Sequence, residues 1–152
     1  ARTVMNGLDF VLRMDPASEW VLVHDAARPC LSRRDLARLL EEGMESDAGA
    51  ILAVPVSDTL KRAGAGSRIA GTVDRSCLWA AQTPQLFRLQ ELAANLRAAL
   101  SAGESPTDEA AAMELSGARP LLVEGSPTNI KITGSDDLAL AEFILQRQLV
   151  DG

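Results

Sequence analysis

Two short, unbroken apolar runs, "WVLVH" at 20–24 and "GAILAVPV" at 49–56, constrain this chain more than any other feature. Neither alternates polar with apolar residues, so each reads as a strand covered on both faces, the pattern of a parallel sheet. Such strands need helices above and below them, and the sequence supplies candidates. Val4, Leu8, Val11 and Leu12 recur at helical spacing within 3–13, with Thr3 available as a cap. Ser32 and Asp35 form a capping pair before "LARLLEEGM", which carries Leu36, Leu39 and Leu40 on one stripe. An Ala- and Leu-rich helix is expected over Leu89–Ala102, and another begins at Thr107, whose hydroxyl would cap it, with Asp108 and Glu109 in its first turn. Ser135, Asp136 and Asp137 start a last helix that runs through Leu149. Further strands are expected in "LWAAQTPQLF" (78–87, ended by Pro84), "PLLVEG" (120–125) and "NIKIT" (129–133). This alternation implies a three-layer α/β sheet in a single domain spanning 1–152.

Between Ser57 and Arg75 the character changes. Two short alternating segments, Thr59–Arg62 and Arg68–Val73, flank a Gly/Ala/Ser tip, the signature of an inserted antiparallel hairpin. It is polar and thin, and an isolated two-stranded ribbon is marginal in water, so it needs support from elsewhere, such as another subunit.

Charge and cysteine usage narrow the functional classes. A formal charge of −6 argues against partners held by a broad basic surface, which removes generic nucleic-acid and anionic-membrane binding. The apolar runs fall far short of the ~20 residues that span a bilayer. Cys30 and Cys77 read as reduced thiols of a cytoplasmic protein, and with one histidine they do not make a zinc site. No signal-peptide pattern opens the chain.

Ligands of open α/β sheets sit beyond the carboxyl ends of the strands. "VLVHDAARP" puts His24, Asp25 and Arg28 there, three groups that are costly to bury without partners. Each also has a structural reading: a satisfied strand-end histidine, a turn-capping aspartate, an ordinary surface arginine. No nucleophile and base accompany them, which suits anion binding better than hydrolysis. Thr59, Arg75, Thr83, Thr107 and Lys131 stand at comparable strand or helix ends. Lys131, flanked by isoleucines, needs an anion or a carboxylate for its ammonium. Singly, each of these is better read as structural. Together, the hydroxyls and cations suggest a phosphorylated ligand.

"VHDAARP", "DTLKR", "TVDR…LWAAQTPQ", "TDEAAAME" and "VEGSPTNIKITGSDDLALAE" occur in the same order in 2-C-methyl-D-erythritol 4-phosphate cytidylyltransferases, and from Thr3 to about Leu145 the chain resembles the C-terminal two-thirds of one. The resemblance implies a Rossmann-like nucleotidyltransferase sheet, incomplete here, with residues 57–75 as an arm that interlocks two copies. It implies attack of the methylerythritol phosphate on the α-phosphorus of CTP, with pyrophosphate released and magnesium present. Asp25 then matches the aspartate where nucleotide and sugar phosphate meet, and Lys131 the lysine on the phosphates near the reacting centre. Thr107 matches a hydroxyl that holds the sugar phosphate, and Thr3 stands where the family usually has a serine on the base. Arg28, Thr59, Arg75 and Thr83 match residues that hold methylerythritol phosphate from across the dimer interface. The family's Gly-rich loop, which cradles the CTP phosphates, has no counterpart here, so these residues alone are expected to be inactive and to expose a strand edge. Two other readings stand beside this one. A ribitol 5-phosphate cytidylyltransferase shares the architecture, although its relatives tend to carry valine at the second alanine of "HDAARP". A non-catalytic, dimerising sugar-phosphate module is the reading from a different class.

Overall fold

The computed structural model describes residues 1–151; the expected domain span closes on Gly152, which lies outside them. Its strands are β1 (Trp20–Val23), β2 (Ala50–Pro55), β3 (Lys61–Ala63), β4 (Ile69–Thr72), β5 (Trp79–Arg88) and β6 (Leu121–Glu124). Its helices are α1 (Arg2–Met14), α2 (Arg33–Met44), α3 (Leu89–Ser101), α4 (Glu109–Leu115) and α5 (Ser135–Asp151).

Four strands form the main sheet in the order β1-β5-β2-β6. It is mixed rather than parallel: β5 runs antiparallel to both β1 and β2, and only β2 and β6 are parallel. Alternate residues of β2 and β5 face opposite layers, as a period of two requires. Ile51 and Phe87 pack with Met5 and Leu8 of α1, Leu92 and Leu96 of α3, and Met113 of α4. Ala50, Leu52 and Leu86 pack with Leu39 of α2 and Val123. Helices therefore cover both faces, and the three-layer expectation holds. Gly49, at φ +75°, is the tightest point, because a Cβ there would lie 2.4 Å from the Leu86 carbonyl oxygen and 2.5 Å from the Phe87 ring.

Several expectations need correction. β2 is buried from Ala50 to Ala53, as expected, but β1 is an edge strand hydrogen-bonded on one side only, and Leu22 is 38% exposed. An apolar run reports the wish for cover, which neighbours must still supply. β5 does not end at Pro84. The ladder with β2 shifts register between Ile51 and Ala53, opposite Gln85 and Ala81, so no ladder donor is required from Pro84. Thr3 does not cap α1; the N-cap is Ala1, and Thr3 lies exposed within the helix. Thr107 does not cap α4 either. Asp108 is the N-cap and accepts from the Ala111 N–H at 2.9 Å, which leaves Thr107 exposed one residue earlier. Asn129–Thr133 is an extended loop rather than a strand. Its alternation reflects facing, not pairing: Ile130 and Ile132 pack on Cys30, Ala141 and Ile144, while the Ile132 N–H donates to the Ala27 carbonyl at 2.8 Å.

The hairpin is present as a separate two-stranded sheet, β3 against β4, with Gly66 at φ +66° in the turn. Every residue of β3 is exposed, and Ile69 in β4 is 70% exposed. The Ser32–Asp35 capping pair forms as read, with Ser32 Oγ accepting from the Asp35 N–H at 3.0 Å.

Candidate active site

The loop that follows β1 and the loop that leads into α5 meet above β5. Lys131 Nζ lies 2.8 Å from Asp25 Oδ2, and the two side chains are 49% and 38% exposed, so the pair is reachable from solvent. The pairing is a solvent-facing one: Ile130 and Ile132 turn to the core while Lys131 turns outward, so the ammonium is not buried as its isoleucine neighbours led the sequence reading to expect. Arg28 Nε approaches the same oxygen at 3.8 Å, too far for a hydrogen bond. Instead Arg28 turns inward: Nη1 donates to the Asn129 carbonyl at 2.7 Å, and Nε is buried with no hydrogen-bond partner among the described residues. Burial pulls the Arg28 guanidinium below its ordinary value, and the nearby Asp25 carboxylate opposes that pull.

Beneath the pair lies a polar layer. Thr83, in β5, accepts from the Asp25 N–H at 3.0 Å, and its Oγ1 is 2.9 Å from His24 Nδ1. Asn129 is fully buried; its Nδ2 donates to the Thr83 carbonyl at 2.8 Å. Gln82 Nε2 donates to the Ser126 carbonyl at 3.0 Å, and a Cβ on Gly125 would come within 2.7 Å of Gln82 Oε1. Gln85 donates to Asp108 Oδ2 at 3.0 Å and accepts from the Ala110 N–H at 2.8 Å, tying the start of α4 to β5. Next to that cap, burial pushes the Glu109 carboxyl up, and the Asp108 and Asp25 charges push it the same way. The Lys131 loop is pinned from its other end by Asp137, whose Oδ2 accepts from the Thr133 N–H, the Thr133 hydroxyl and the Gly134 N–H. Those bonds hold the Asp137 carboxyl below the ordinary range.

Asp25, Arg28, Thr83 and Lys131 are thus brought together within one chain. Among the described residues, no hydrogen bond or ion pair ties this cluster to Thr3, Thr59, Arg75 or Thr107. Arg28 and Thr83 stand beside Asp25 of the same chain. Thr59 and Arg75 lie exposed at the base of the arm, where Arg75 Nη1 reaches the Val56 carbonyl at 3.4 Å. A cavity of about 1380 Å³ lined by Ser32, Arg34, Arg38 and Gln148 lies elsewhere and includes none of these residues. Sequence reading missed Asn129, Gln82 and Gln85; the available signal was amides inside "AAQTPQLF" and directly before "IKI", where apolar residues would otherwise continue.

A solvent-facing carboxylate and ammonium thus stand paired at one end of an α/β sheet, with the Thr83 hydroxyl and the Arg28 guanidinium beside them, in a fold of the nucleotidyltransferase class. The family model for 2-C-methyl-D-erythritol 4-phosphate cytidylyltransferase (IspD) matches residues 1–147, and the chain belongs to that family. It is 55% identical over 148 residues to the protein of that name from Stenotrophomonas maltophilia strain R551-3, covering 97% of this chain and 64% of the relative. It is 49% identical to the one from Vibrio vulnificus strain YJ016, again over 97% of this chain and 62% of the relative. A crystal structure of 4-diphosphocytidyl-2C-methyl-D-erythritol synthase superposes with a TM-score of 0.84 at 48% identity, covering 94% of this chain and 65% of that one. The fold is accordingly the nucleotidyltransferase fold of that family, and the chain spans less than two thirds of the length of these relatives.

Proposed function

We propose that the complete protein to which this chain belongs transfers CMP from CTP to 2-C-methyl-D-erythritol 4-phosphate and releases pyrophosphate. The observation that carries the reading is the 2.8 Å contact between Lys131 Nζ and Asp25 Oδ2, two residues 106 positions apart (131 − 25), in a chain matched by the family model from 1 to 147. A phosphate oxygen of the acceptor attacks the α-phosphorus, the bond from that phosphorus to the bridging oxygen breaks, and pyrophosphate leaves. Catalysis of this kind is positioning and charge neutralisation, which needs no protein nucleophile. Lys131 offers a compact positive charge where charge accumulates on the phosphates, and Asp25 fixes that ammonium and orients polar groups of the substrates.

Among the described residues there is no group of three potential metal ligands. Magnesium does not require one, since it is commonly bound by one or two carboxylates with substrate phosphates and water completing its shell. Asp25 suits that role through Oδ1, because both cation contacts fall on Oδ2. A bound magnesium ion would neutralise phosphate charge. The exposed arm, with Thr59 and Arg75 at its base, serves a homodimer in which each arm reaches the other copy's cluster. Thr107 would hold the sugar phosphate and Thr3 the base. The unpaired side of β1 receives the part of the relatives' length that this chain does not span. No described helix is long and apolar enough to cross a membrane, and this reading makes the protein a cytoplasmic one.

Pyrophosphate release by the full-length protein tests the reading. Release that requires CTP, magnesium and 2-C-methyl-D-erythritol 4-phosphate together supports it. Release with ribitol 5-phosphate instead, or binding of the sugar phosphate without turnover, refutes it.

A further inference from the structure

The cytidylyl-transfer reading uses Asp25 and Lys131 and leaves the histidine between them and the strand without a task. His24 is the one histidine of the chain. Its Nε2 lies 3.0 Å from the Arg28 carbonyl oxygen. A carbonyl oxygen only accepts, so the proton of the ring sits on Nε2, an assignment made from the hydrogen-bond partners. In the neutral ring Nδ1 is then an acceptor, and the group 2.9 Å away from it is the Thr83 hydroxyl, which donates. With its proton committed to the imidazole, Thr83 Oγ1 turns a lone pair to the Asp25 N–H at 3.0 Å. The Arg28 N–H donates to the Asp25 carbonyl at 2.9 Å, so the turn from Asp25 to Arg28 is closed on itself and bridged by one ring. Thr83 is itself held in β5, where the buried Asn129 donates to its carbonyl.

We propose that His24 is a positioning residue for Asp25: as the Nε2–H tautomer it fixes the direction of the Thr83 hydroxyl, and that hydroxyl sets the backbone from which the Asp25 carboxylate meets Lys131. The proposal rests on the cytidylyl-transfer reading for its kinetic consequence. It also limits what Thr83 can offer a ligand: with its proton on His24 and one lone pair on the Asp25 N–H, the hydroxyl keeps a single lone pair, able to accept from a sugar hydroxyl but not to donate to a phosphate oxygen.

Kinetics of the full-length protein and nitrogen-15 spectra of its labelled histidines test this. His24→Ala is expected to lower kcat about 10- to 100-fold, the range that an ångström-scale misplacement of a catalytic group produces. The KM for each substrate should change less than kcat, since the loss acts through the placement of Asp25 relative to Lys131 rather than by removing a substrate contact outright. Thr83→Val should lose as much, Thr83→Ser should stay within about threefold of the parent because the hydroxyl returns, and the His24→Ala/Thr83→Val double variant should lose no more than either single one. The His24 resonances, assigned by their loss in the His24→Ala spectrum or their shift in Thr83→Val, should report a pyrrole-type Nε2 and a pyridine-type Nδ1. That spectral arm reads the ring whatever reaction the protein catalyses, so its outcome is separable from failure of the cytidylyl-transfer reading. An Nδ1–H tautomer, unchanged kcat in His24→Ala, losses that multiply in the double variant, or a Thr83→Ser variant as impaired as Thr83→Val would each overturn the proposal.

Discussion

The Asp25 cluster and the 57–75 arm hold their shapes by opposite means. In the cluster, each polar group is answered from a distant part of the same chain: Thr83 serves Asp25 from 58 residues away, and Asn129 receives Arg28 from 101. Its buried members, Thr83 and Asn129, are 8% and 0% exposed. The arm has ladder hydrogen bonds and a Lys61 Nζ to Thr72 Oγ1 contact of 2.8 Å, but all of β3 is exposed and its most prominent apolar side chain, Ile69, faces outward. A ribbon of that kind gains little from its own burial. The contrast teaches that burial and long-range hydrogen bonds hold the cluster in place within the chain, whereas the arm presents surface, which is what the proposed second copy would cover.

The largest effect expected from this contrast is on turnover. Lys131→Ala in the full-length protein should lower kcat by about 100- to 1000-fold, the usual loss on removing a charge-stabilising group, with a smaller change in KM. Steady-state pyrophosphate release measures it, and a loss confined to KM would make Lys131 a binding residue only. A pair of substitutions then compares the two regions in stability. Asn129→Ala removes the donor to Thr83 and leaves buried partners unsatisfied, a cost of about 1–3 kcal/mol in a denaturant titration. Ile69→Lys, on an exposed strand, should shift sedimentation of the full-length protein from dimer toward monomer, and at concentrations where parent and variant are both monomeric should change the same titration by no more than about 0.5 kcal/mol. Equal destabilisation by both would erase the distinction between cluster and arm.

The smallest effect concerns pH. The Asp137 carboxyl is held below its ordinary value by the Thr133 N–H and hydroxyl and the Gly134 N–H, so the folded state binds its proton less readily than the unfolded chain does. The stability it contributes is therefore present above the ordinary carboxylate range and is lost as pH falls through the depressed value. Asp137→Asn should be less stable than the parent near neutrality, and the gap should close toward acid, as followed by thermal unfolding across pH. A gap of constant size would remove the carboxylate's charge from the account.

Much of the layer plan was legible because it rests on local periodicity. The run 49–56 became a buried strand, Leu39 lies on the buried face of α2, and the Ser32 cap formed as read. Errors arose where a local signal has more than one structural cause. Pro84 ends strands only where a ladder needs its missing N–H, and here the register shift relieves that need. The alternation of Ile130, Lys131 and Ile132 sorts side chains between core and solvent without any neighbouring strand. Thr107 and Asp108 are both good caps, and only the tie from Gln85 to Asp108 shows which is used. In the site, Asp25 and Lys131 were visible as charges in need of partners. The amide layer under them was not, because Gln82 and Asn129 find each other 47 residues apart and nothing in either short stretch announces the other.

The central claim is that the cluster of one copy works with the arm of another. Mixed dimers of full-length Lys131→Ala and Arg75→Ala, refolded together, test it most directly, because their heterodimer carries one intact cluster facing one intact arm. Statistical mixing about a two-fold axis predicts recovery to about a quarter of parental pyrophosphate release. A mixture no more active than the average of the two variants measured apart would contradict the claim.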